Sequence, residues 1–218
     1  MDLLFKTSEF QLEAPGNSEK TFRFLQPQNP NDVLSTISED QYERDRFLPY
    51  WAELWPSSTV LFEYIDSLEV PADTRITELG CGLGHITAIL ASKVKKPVSM
   101  DISPIACKYA LRNVLANGGC SAVICCDWRN LPLKPRSCDM IVASDILYEA
   151  RWIEPVVSAI KSLLHPQGVA VIADPCRKPW NQFKNRIKSQ GYDCSVIKTA
   201  KVNQEKTTIE IAQIRSEN

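Results

Sequence analysis

The sequence has almost no excess charge, no long apolar run and no cysteine spacing typical of a metal site. Its 218 residues include 25 basic and 26 acidic side chains, which leave a formal net charge of -1. A charge so close to zero provides no general attraction for a polyanion, so nucleic acid is not favoured as a partner. No apolar stretch approaches the roughly 20 residues that a membrane-spanning helix needs. The sequence therefore predicts no membrane span.

Eight cysteines are present, but they form no Cys-X-X-Cys pair and no cluster with zinc-ligand spacing. The first ten residues, MDLLFKTSEF, are too short and too charged for the apolar part of a secretory signal. The cysteine spacing predicts no bound metal, and the N-terminal residues predict a cytoplasmic protein. Because disulfides are rare in reducing compartments, we expect free and mostly buried thiols.

The hydrophobic pattern divides the chain into an N-terminal cap, residues 1–70, and a core, residues 71–218. In the cap, LLFKTSEFQLEA and TFRFLQ alternate and predict a β-hairpin, while residues 40–68 are expected to contain one or two helices interrupted by FLPYWAELWPSS. From residue 75 onward, short apolar runs alternate with helical patterns, which is typical of a mostly parallel α/β sheet covered on both faces. The last two runs follow each other without a helix and predict a terminal antiparallel hairpin.

The run RITELGCGLGHITAIL, residues 75–90, places glycines between a predicted strand and a predicted helix. Gly80, Gly82 and Gly84 can adopt positive φ and have no Cβ. Such a turn permits close approach by a nucleotide-like group.

Five successive predicted strands end in or near an acidic residue, and ligands bind at these strand ends in a doubly wound sheet. Asp101 follows Gly80 by about 20 residues, the interval at which an acid accepts hydrogen bonds from ribose hydroxyls. Each acid also has a purely structural explanation, because Asp is common at strand ends and helix N-caps. The acids are Glu78, Asp101, Asp127, Asp145 and Asp174.

The segments ELGCGLG, MDIS, CCDW and ASDILY, with the terminal hairpin, resemble the class I methyltransferases that use S-adenosylmethionine. The resemblance covers residues 41–215. It implies an enzyme with a Rossmann-like, doubly wound sheet of seven strands and with S-adenosylmethionine as its cofactor. A glycine turn alone does not distinguish this family, because NAD-binding domains share it.

The same resemblance implies a cofactor site. The glycines would approach the methionyl and adenosyl parts, and Glu78 would act near the amino group or order the loop. Asp101 would bind the ribose, Ile102 would pack on the adenine, and Asp127 with Trp128 would meet the adenine amine and ring face. The expected cofactor-binding residues are Trp55, Glu78, Gly80, Gly82, Gly84, Asp101, Ile102, Asp127, Trp128 and Ser144.

PYWAELWPSS, SDILYE and ADPCRKPW are similar to segments of the lysine methyltransferase branch called methyltransferase family 16. Within that branch they are most similar to the electron transfer flavoprotein beta-subunit lysine methyltransferase group. This chain has Ser57 and Ser58 where the family often has a Gly-Gly or Gly-Ala pair. The likeness implies a protein lysine as the methyl acceptor, and the expected substrate-binding residues are Trp51, Glu53, Asp174 and Arg177.

Lysine methylation requires a base, because the amine has a pKa of about 10.4 and must lose its proton before it attacks. Asp145 would anchor the ammonium and accept its proton through water, and Tyr148 would border the amine channel. Trp51 or Trp55 would wall the site, since an aromatic face attracts a cation.

Structural alternatives stand beside these catalytic interpretations. Trp51 and Trp55 are four residues apart, a helical spacing that also indicates shared packing. Asp145 is also in a position to cap a helix that contains Tyr148. Arg177 also fits an exposed charge after a strand.

Four alternative functions would require different features of the sequence. A small-molecule methyltransferase shares every cofactor residue with a protein lysine methyltransferase and differs only in its acceptor pocket. A non-catalytic binding module of the same fold has no need of the intact glycines and acids. A nicotinamide-dependent oxidoreductase would continue in parallel β-α units instead of a hairpin. Nucleic-acid amino-methylating enzymes usually carry a Pro-Pro signature where this chain has SDILY. The oligomeric state is not predicted.

Overall fold

The structure is a computed structural model that describes residues 5–14, 20–35 and 48–217. An N-terminal hairpin pairs β1 (Thr7–Ala14) with β2 (Lys20–Pro27), as predicted. It is followed by a short helix, α1 (Pro30–Leu34), and by α2 (Pro56–Ser67). The predicted helical content of residues 40–47 lies outside the described residues.

The remaining elements form a seven-stranded sheet with helices between its strands. The strands are β3 (Ile76–Leu79), β4 (Val98–Asp101), β5 (Ala122–Cys125), β6 (Cys138–Ser144), β7 (Leu164–Asp174), β8 (Tyr192–Val202) and β9 (Thr207–Ser216). The helices are α3 (His85–Lys93), α4 (Pro104–Ala116), α5 (Ile153–Leu163) and α6 (Lys178–Lys188).

The strand order is β5-β4-β3-β6-β7-β9-β8. The first five strands in this order are parallel, and β9 runs antiparallel to both of its neighbours. The prediction of a doubly wound, seven-strand α/β sheet with a C-terminal antiparallel hairpin is confirmed.

Alternating side chains of the central strands bury the two faces of the sheet. Ile141 and Ala143 of β6 belong to one hydrophobic cluster, which includes residues of α5 and α6. Val142 between them belongs to another, which includes residues of α2, α3 and the N-terminal hairpin. The cap and the core thus share one cluster of buried side chains, and the predicted boundary at residue 70 stays a prediction.

Asn113 on α4 and Asn117, the residue directly after α4, hold the open edge of β2. Asn117 accepts from the Arg23 N–H at 2.9 Å and donates to the Arg23 carbonyl at 2.7 Å. Asn113 accepts from the Leu25 N–H at 2.8 Å and donates to the carbonyls of Leu25, at 2.9 Å, and Leu83, at 2.8 Å. Because the two asparagines are one helical turn apart, their amides bond the strand edge as a neighbouring strand would.

The segment FLPYWAELWPSS, which was predicted to interrupt the helices of residues 40–68, is non-helical over a shorter stretch than expected. Tyr50–Ala52 forms a single 3-10 turn, and α2 begins at Pro56, inside the segment FLPYWAELWPSS. Proline is favoured at the first helical position because its missing N–H would have no partner there. Trp51 and Trp55 therefore do not share a helix, although Trp51 is buried and packs on Tyr109.

All eight cysteines are free thiols, but the expectation that they are mostly buried holds only in part, since Cys120 and Cys125 are exposed. Within the described ranges, no helix combines the length and the apolar character needed to cross a bilayer. The cytoplasmic location stays a prediction.

Replacement of Asn113 by alanine should lower the free energy of unfolding by about 2–4 kcal/mol. Asn113 is fully buried, and its loss leaves the Leu25 and Leu83 backbone groups without their partner. Urea unfolding measures the change, with Asn117→Ala as the matched control. Asn117 is half-buried, so its loss should cost less, and equal losses for the two variants would contradict this account.

Candidate active site

A cavity of about 270 Å³ lies at the carboxyl ends of β3, β4 and β6. This is the edge at which doubly wound sheets bind ligands. The predicted site residues that line it are Trp51, Glu53, Trp55, Glu78, Gly80, Gly82, Asp101, Ile102, Trp128, Ser144, Asp145, Tyr148 and Arg177.

Three predicted site residues are not among the lining residues. A Cβ on Gly84 would lie 2.6 Å from the Cα of Ala110, so this glycine permits close packing of α3 on α4. The carboxylate of Asp127 is held by Arg129, which lowers the pKa of Asp127. Asp174 is buried beneath Arg177. Direct contact of these three residues with a ligand stays a prediction.

The backbone of the glycine turn makes close contacts beside the cavity. Gly80 has φ +75°, and a Cβ there would lie 2.8 Å from Ile146 and 3.3 Å from the ring of Trp128. The Gly82 N–H donates to Oδ2 of Asp101 at 2.9 Å, and the Ser103 N–H donates to Oδ1 at 2.9 Å. Burial raises the pKa of Asp101, and these backbone donors oppose that change.

Glu78 is a second buried carboxyl group in the cavity. Its side chain accepts a hydrogen bond from the hydroxyl of Thr87 at 2.5 Å. Burial raises the pKa of Glu78 to about 7, although the Thr87 hydroxyl favours the charged form. Glu78 therefore changes its charge near neutral pH.

Asp145 lies on the opposite side of the cavity, directly after β6. It has φ +57°, a left-handed conformation that is uncommon and strained for a residue with a Cβ. Burial raises its pKa, and the charge of Arg177 opposes the change. Tyr148 lies in the loop that follows, not in a helix, so the alternative that Asp145 caps a helix containing Tyr148 is wrong.

Arg177 connects two buried carboxyl groups. Its Nη1 lies 3.1 Å from Oδ1 of Asp145 and 3.6 Å from Oδ2 of Asp174, and its backbone N–H donates to Asp174 at 3.0 Å. The guanidinium also lies 5.6 Å from the centre of the Trp55 ring. Burial raises the pKa of Asp174 to about 7, which the Arg177 backbone N–H opposes. The side chain of Arg177 is about 27% exposed and points into the site, so the alternative of an exposed surface charge is wrong.

Five aromatic rings form a row from Trp55, beside Arg177, to Trp128, beside Gly80, and all of them except Trp152 line the cavity. Successive ring centres are separated by 5.9 Å from Trp55 to Tyr50, 4.6 Å to Tyr148, 6.0 Å to Trp152 and 5.6 Å to Trp128. We refer to these five residues as the aromatic row. Tyr50 and Trp152 were not among the predicted site residues. The one signal in the sequence was the position of Tyr50 next to Trp51 in PYWAELW.

His85 and Trp51 support the cavity through packing. The His85 ring lies 5.3 Å from Phe10 and 4.9 Å from Phe24, and burial lowers its pKa to about 3. His85 is consequently neutral at pH 7. Trp51 lines the cavity and packs 5.5 Å from Tyr109, so it combines the predicted wall with a packing role. In the described part of the chain, no group of three or more His, Cys, Asp or Glu side chains has an arrangement suited to a metal ion.

Comparison with known proteins connects this geometry to a family. A family model described as a methyltransferase domain matches residues 71–215. The chain is 23% identical over 141 residues to phosphoethanolamine N-methyltransferase 1 of Triticum aestivum, an alignment that takes in 63% of this chain and 28% of that protein. The chain thus spans about a quarter of the length of the curated relatives that it matches.

Solved structures of low sequence identity share the fold. N-methyltransferase NodS from Bradyrhizobium japonicum WM9, in complex with S-adenosyl-L-homocysteine, is 18% identical with a TM-score of 0.60, and the match covers 88% of this chain and all of that chain (100%). Ribosomal protein L11 methylase from Lactobacillus delbrueckii subsp. bulgaricus is 15% identical with a TM-score of 0.59, and covers 73% of this chain and 78% of that chain.

The raised pKa of Glu78 predicts a stability that falls as pH rises. An unfolded glutamic acid releases its proton near pH 4.5, but the folded protein retains the proton to about pH 7. The unfolding free energy should therefore decrease between these pH values and become independent of Glu78 above them.

Glu78→Gln removes this contribution and keeps an acceptor for Thr87. Urea unfolding gives the free energy of unfolding of the variant minus that of the original protein. We expect this difference to be about 2 kcal/mol larger at pH 8 than at pH 5.5. A difference that is the same at both pH values would contradict the assignment.

Proposed function

This chain belongs to the methyltransferase domain family, and we propose that it transfers a methyl group from S-adenosylmethionine to an amine, namely the side chain of a protein lysine. The observation that carries the proposal is the single cavity that joins the glycine turn to the Asp145–Arg177 pair and the aromatic row. A site for a nucleotide-like cofactor and a site for a cation thus open into one space.

The residues of the first half of the cavity fit S-adenosylmethionine. Gly80 and Gly82 line the cavity, and the absence of a Cβ at Gly80 lets its backbone lie close to Ile146 and Trp128. Asp101 would take the ribose hydroxyls, and Ile102 with Trp128 would flank the adenine, since Ile102 lies exposed at the cavity. When bound, the cofactor supplies an electrophilic methyl group on a sulfonium centre.

The second half of the cavity suits a cationic amine. Asp145 would hold the lysine ammonium and accept its proton through water, and the aromatic faces of Tyr50, Tyr148 and Trp55 would favour a positive charge. Glu53 and Trp51, which also line the cavity, would contact the acceptor. Because methyl transfer is an in-line displacement, the main contribution of these residues is to position a neutral amine and exclude water.

A small phosphorylated amine is the second candidate acceptor. Two observations favour it: three of the curated relatives are named phosphoethanolamine N-methyltransferases, and Arg177 brings a guanidinium into the cavity. A guanidinium binds phosphate through paired, charge-assisted hydrogen bonds. The lysine acceptor is supported by the likeness of PYWAELWPSS, SDILYE and ADPCRKPW to the lysine methyltransferase branch.

Asp145→Asn should separate cofactor binding from methyl transfer. We expect calorimetry to give an affinity for S-adenosylhomocysteine within about threefold of the original, and transfer to fall by about 100-fold or more, because the variant cannot accept the proton. Asp73→Asn is the control. Asp73 is an exposed acid that does not line the cavity, so this variant should change neither quantity. Simultaneous loss of cofactor binding would place Asp145 in the cofactor site instead.

The acceptor class can be identified with methyl-labelled S-adenosylmethionine. The purified protein is incubated with a cytosolic extract, and labelled protein, RNA and small molecules are separated, with Asp145→Asn as the blank. Methyl-lysine in a discrete protein band is the expected result. Label confined to phosphorylated amines would support the second candidate and contradict the first.

A further inference from the structure

Arg177 already occupies the position that the proposed function gives to the acceptor cation. Its Nη1 donates a hydrogen bond to Oδ1 of Asp145 at 3.1 Å, and its guanidinium carbon lies 5.6 Å from the centre of the Trp55 ring. A carboxylate and an aromatic face are the two groups expected to attract an acceptor ammonium. Oδ2 of Asp145 is enclosed by protein, so it offers no second approach from the cavity. An acceptor that binds to Asp145 must therefore compete with Arg177.

The hydrogen bond between Arg177 and Asp145 is weak for an ion pair. A guanidinium that binds a carboxylate firmly forms two parallel hydrogen bonds, commonly about 2.7–2.9 Å long. On the surface, Arg186 binds both oxygens of Glu154 in this way, at 2.6 Å and 3.1 Å. Arg177 forms a single bond to Asp145, and its side chain is about 27% exposed. The guanidinium of Arg177 can therefore leave Asp145 at a small cost.

Asp174 provides a second position for the guanidinium. Oδ2 of Asp174 lies 3.6 Å from Nη1 of Arg177, slightly beyond hydrogen-bonding distance. This oxygen is buried and accepts no hydrogen bond from a residue that the structure describes. Oδ1 of Asp174 accepts the backbone N–H of Arg177 at 3.0 Å, so the main chain stays in place while the side chain turns. Because a buried acceptor without a partner costs free energy, a turn of Arg177 toward Asp174 recovers that cost.

The charges of these three side chains leave a place for one more cation. Two ionised carboxylates and one guanidinium give the set a net charge of -1. Asp145 and Arg177 line the cavity, whereas Asp174 is fully buried and is not among the lining residues. An entering ammonium can therefore reach Asp145 but not Asp174. With the ammonium on Asp145 and the guanidinium on Asp174, each carboxylate has its own cation.

We propose that Arg177 determines which acceptors bind, by occupying Asp145 until an ammonium replaces it and by then moving to Asp174. Asp174 is a positioning residue in this exchange, because it contacts Arg177 and not the acceptor. The exchange selects a head group that arrives as a cation, since an uncharged group gains too little from Asp145 to replace a guanidinium. The fraction of Asp145 that Arg177 occupies lowers the apparent affinity for the acceptor. This inference rests on the acceptor part of the proposed function.

A double variant that conserves charge tests the exchange. Asp174→Asn combined with Arg177→Met removes one negative and one positive charge, and the asparagine keeps an acceptor for the backbone N–H of residue 177. The probe is n-butylammonium chloride, which matches the end of a lysine side chain, at constant ionic strength and with S-adenosylhomocysteine present. We expect the double variant to bind the probe at least fivefold more tightly than the original protein, because Asp145 no longer has an internal cation.

Binding is followed by NMR through the indole N–H of Trp55, which donates to the Tyr50 carbonyl at 2.6 Å and is assigned by its loss in Trp55→Phe. Asp174→Asn alone should weaken the probe at least threefold, because Arg177 then has no second carboxylate to move to. Arg186→Met removes a guanidinium that does not line the cavity and should leave the affinity unchanged. n-Butanol, the uncharged counterpart of the probe, should bind equally weakly to every variant.

An affinity in the double variant that equals or falls below that of the original protein would overturn the exchange and leave Arg177 as a fixed counter-ion. A second readout does not need the double variant to fold. In the original protein the Nε–H resonance of Arg177, assigned with Arg177→Lys, should shift as the probe is added, and a resonance that does not move would also overturn the proposal. The lysine acceptor is decided separately, because label confined to phosphorylated amines contradicts it whatever the probe shows.

Discussion

The parallel pairing of β3 between β4 and β6 is the constraint on which the site depends. Parallel strands end at the same edge of a sheet, and here that edge brings together Gly80, Asp101 and Asp145, which are far apart in the sequence. Each strand is followed by a change of direction that leaves its last residues facing the cavity. Both Gly80 and Asp145 have positive φ at this change of direction. Glycine adopts that conformation without strain, whereas Asp145 has a Cβ, so the backbone is strained at Asp145.

The cavity is rich in buried acid and poor in compensating positive charge. Burial raises the pKa of Glu78, Asp101 and Asp145, and of Asp174 beneath them. Among the lining residues that the structure describes, Arg177 is the one with a permanent positive charge. A cationic ligand therefore gains from every carboxylate that it approaches, which suits both a sulfonium cofactor and an ammonium acceptor.

The N-terminal hairpin packs against residues that line the cavity. Phe24 packs on His85, and Asn113 holds both the edge of β2 and the carbonyl of Leu83 in the glycine loop. Since His85 and Leu83 also line the cavity, the stability of the hairpin and the shape of the cofactor side are linked. The described residues of the hairpin thus contact residues that line the cavity.

Short apolar runs, helical periods and turn residues were sufficient to predict the succession of strands and helices from residue 75, the terminal hairpin and the glycine turn, because these are local features of the sequence. The sheet of seven strands was implied by the resemblance to a family. The sequence likewise indicated most of the residues that line the cavity, in part because strand ends in this fold meet and in part through the resemblance of PYWAELWPSS and ADPCRKPW to segments of a family. Only the tertiary structure decided that Gly84 packs on Ala110, that Arg129 engages Asp127, and that Arg177 joins Asp145 to Asp174. It also assembled the aromatic row. Such contacts depend on the direction and burial of side chains from separate elements, and no local pattern of residues records either.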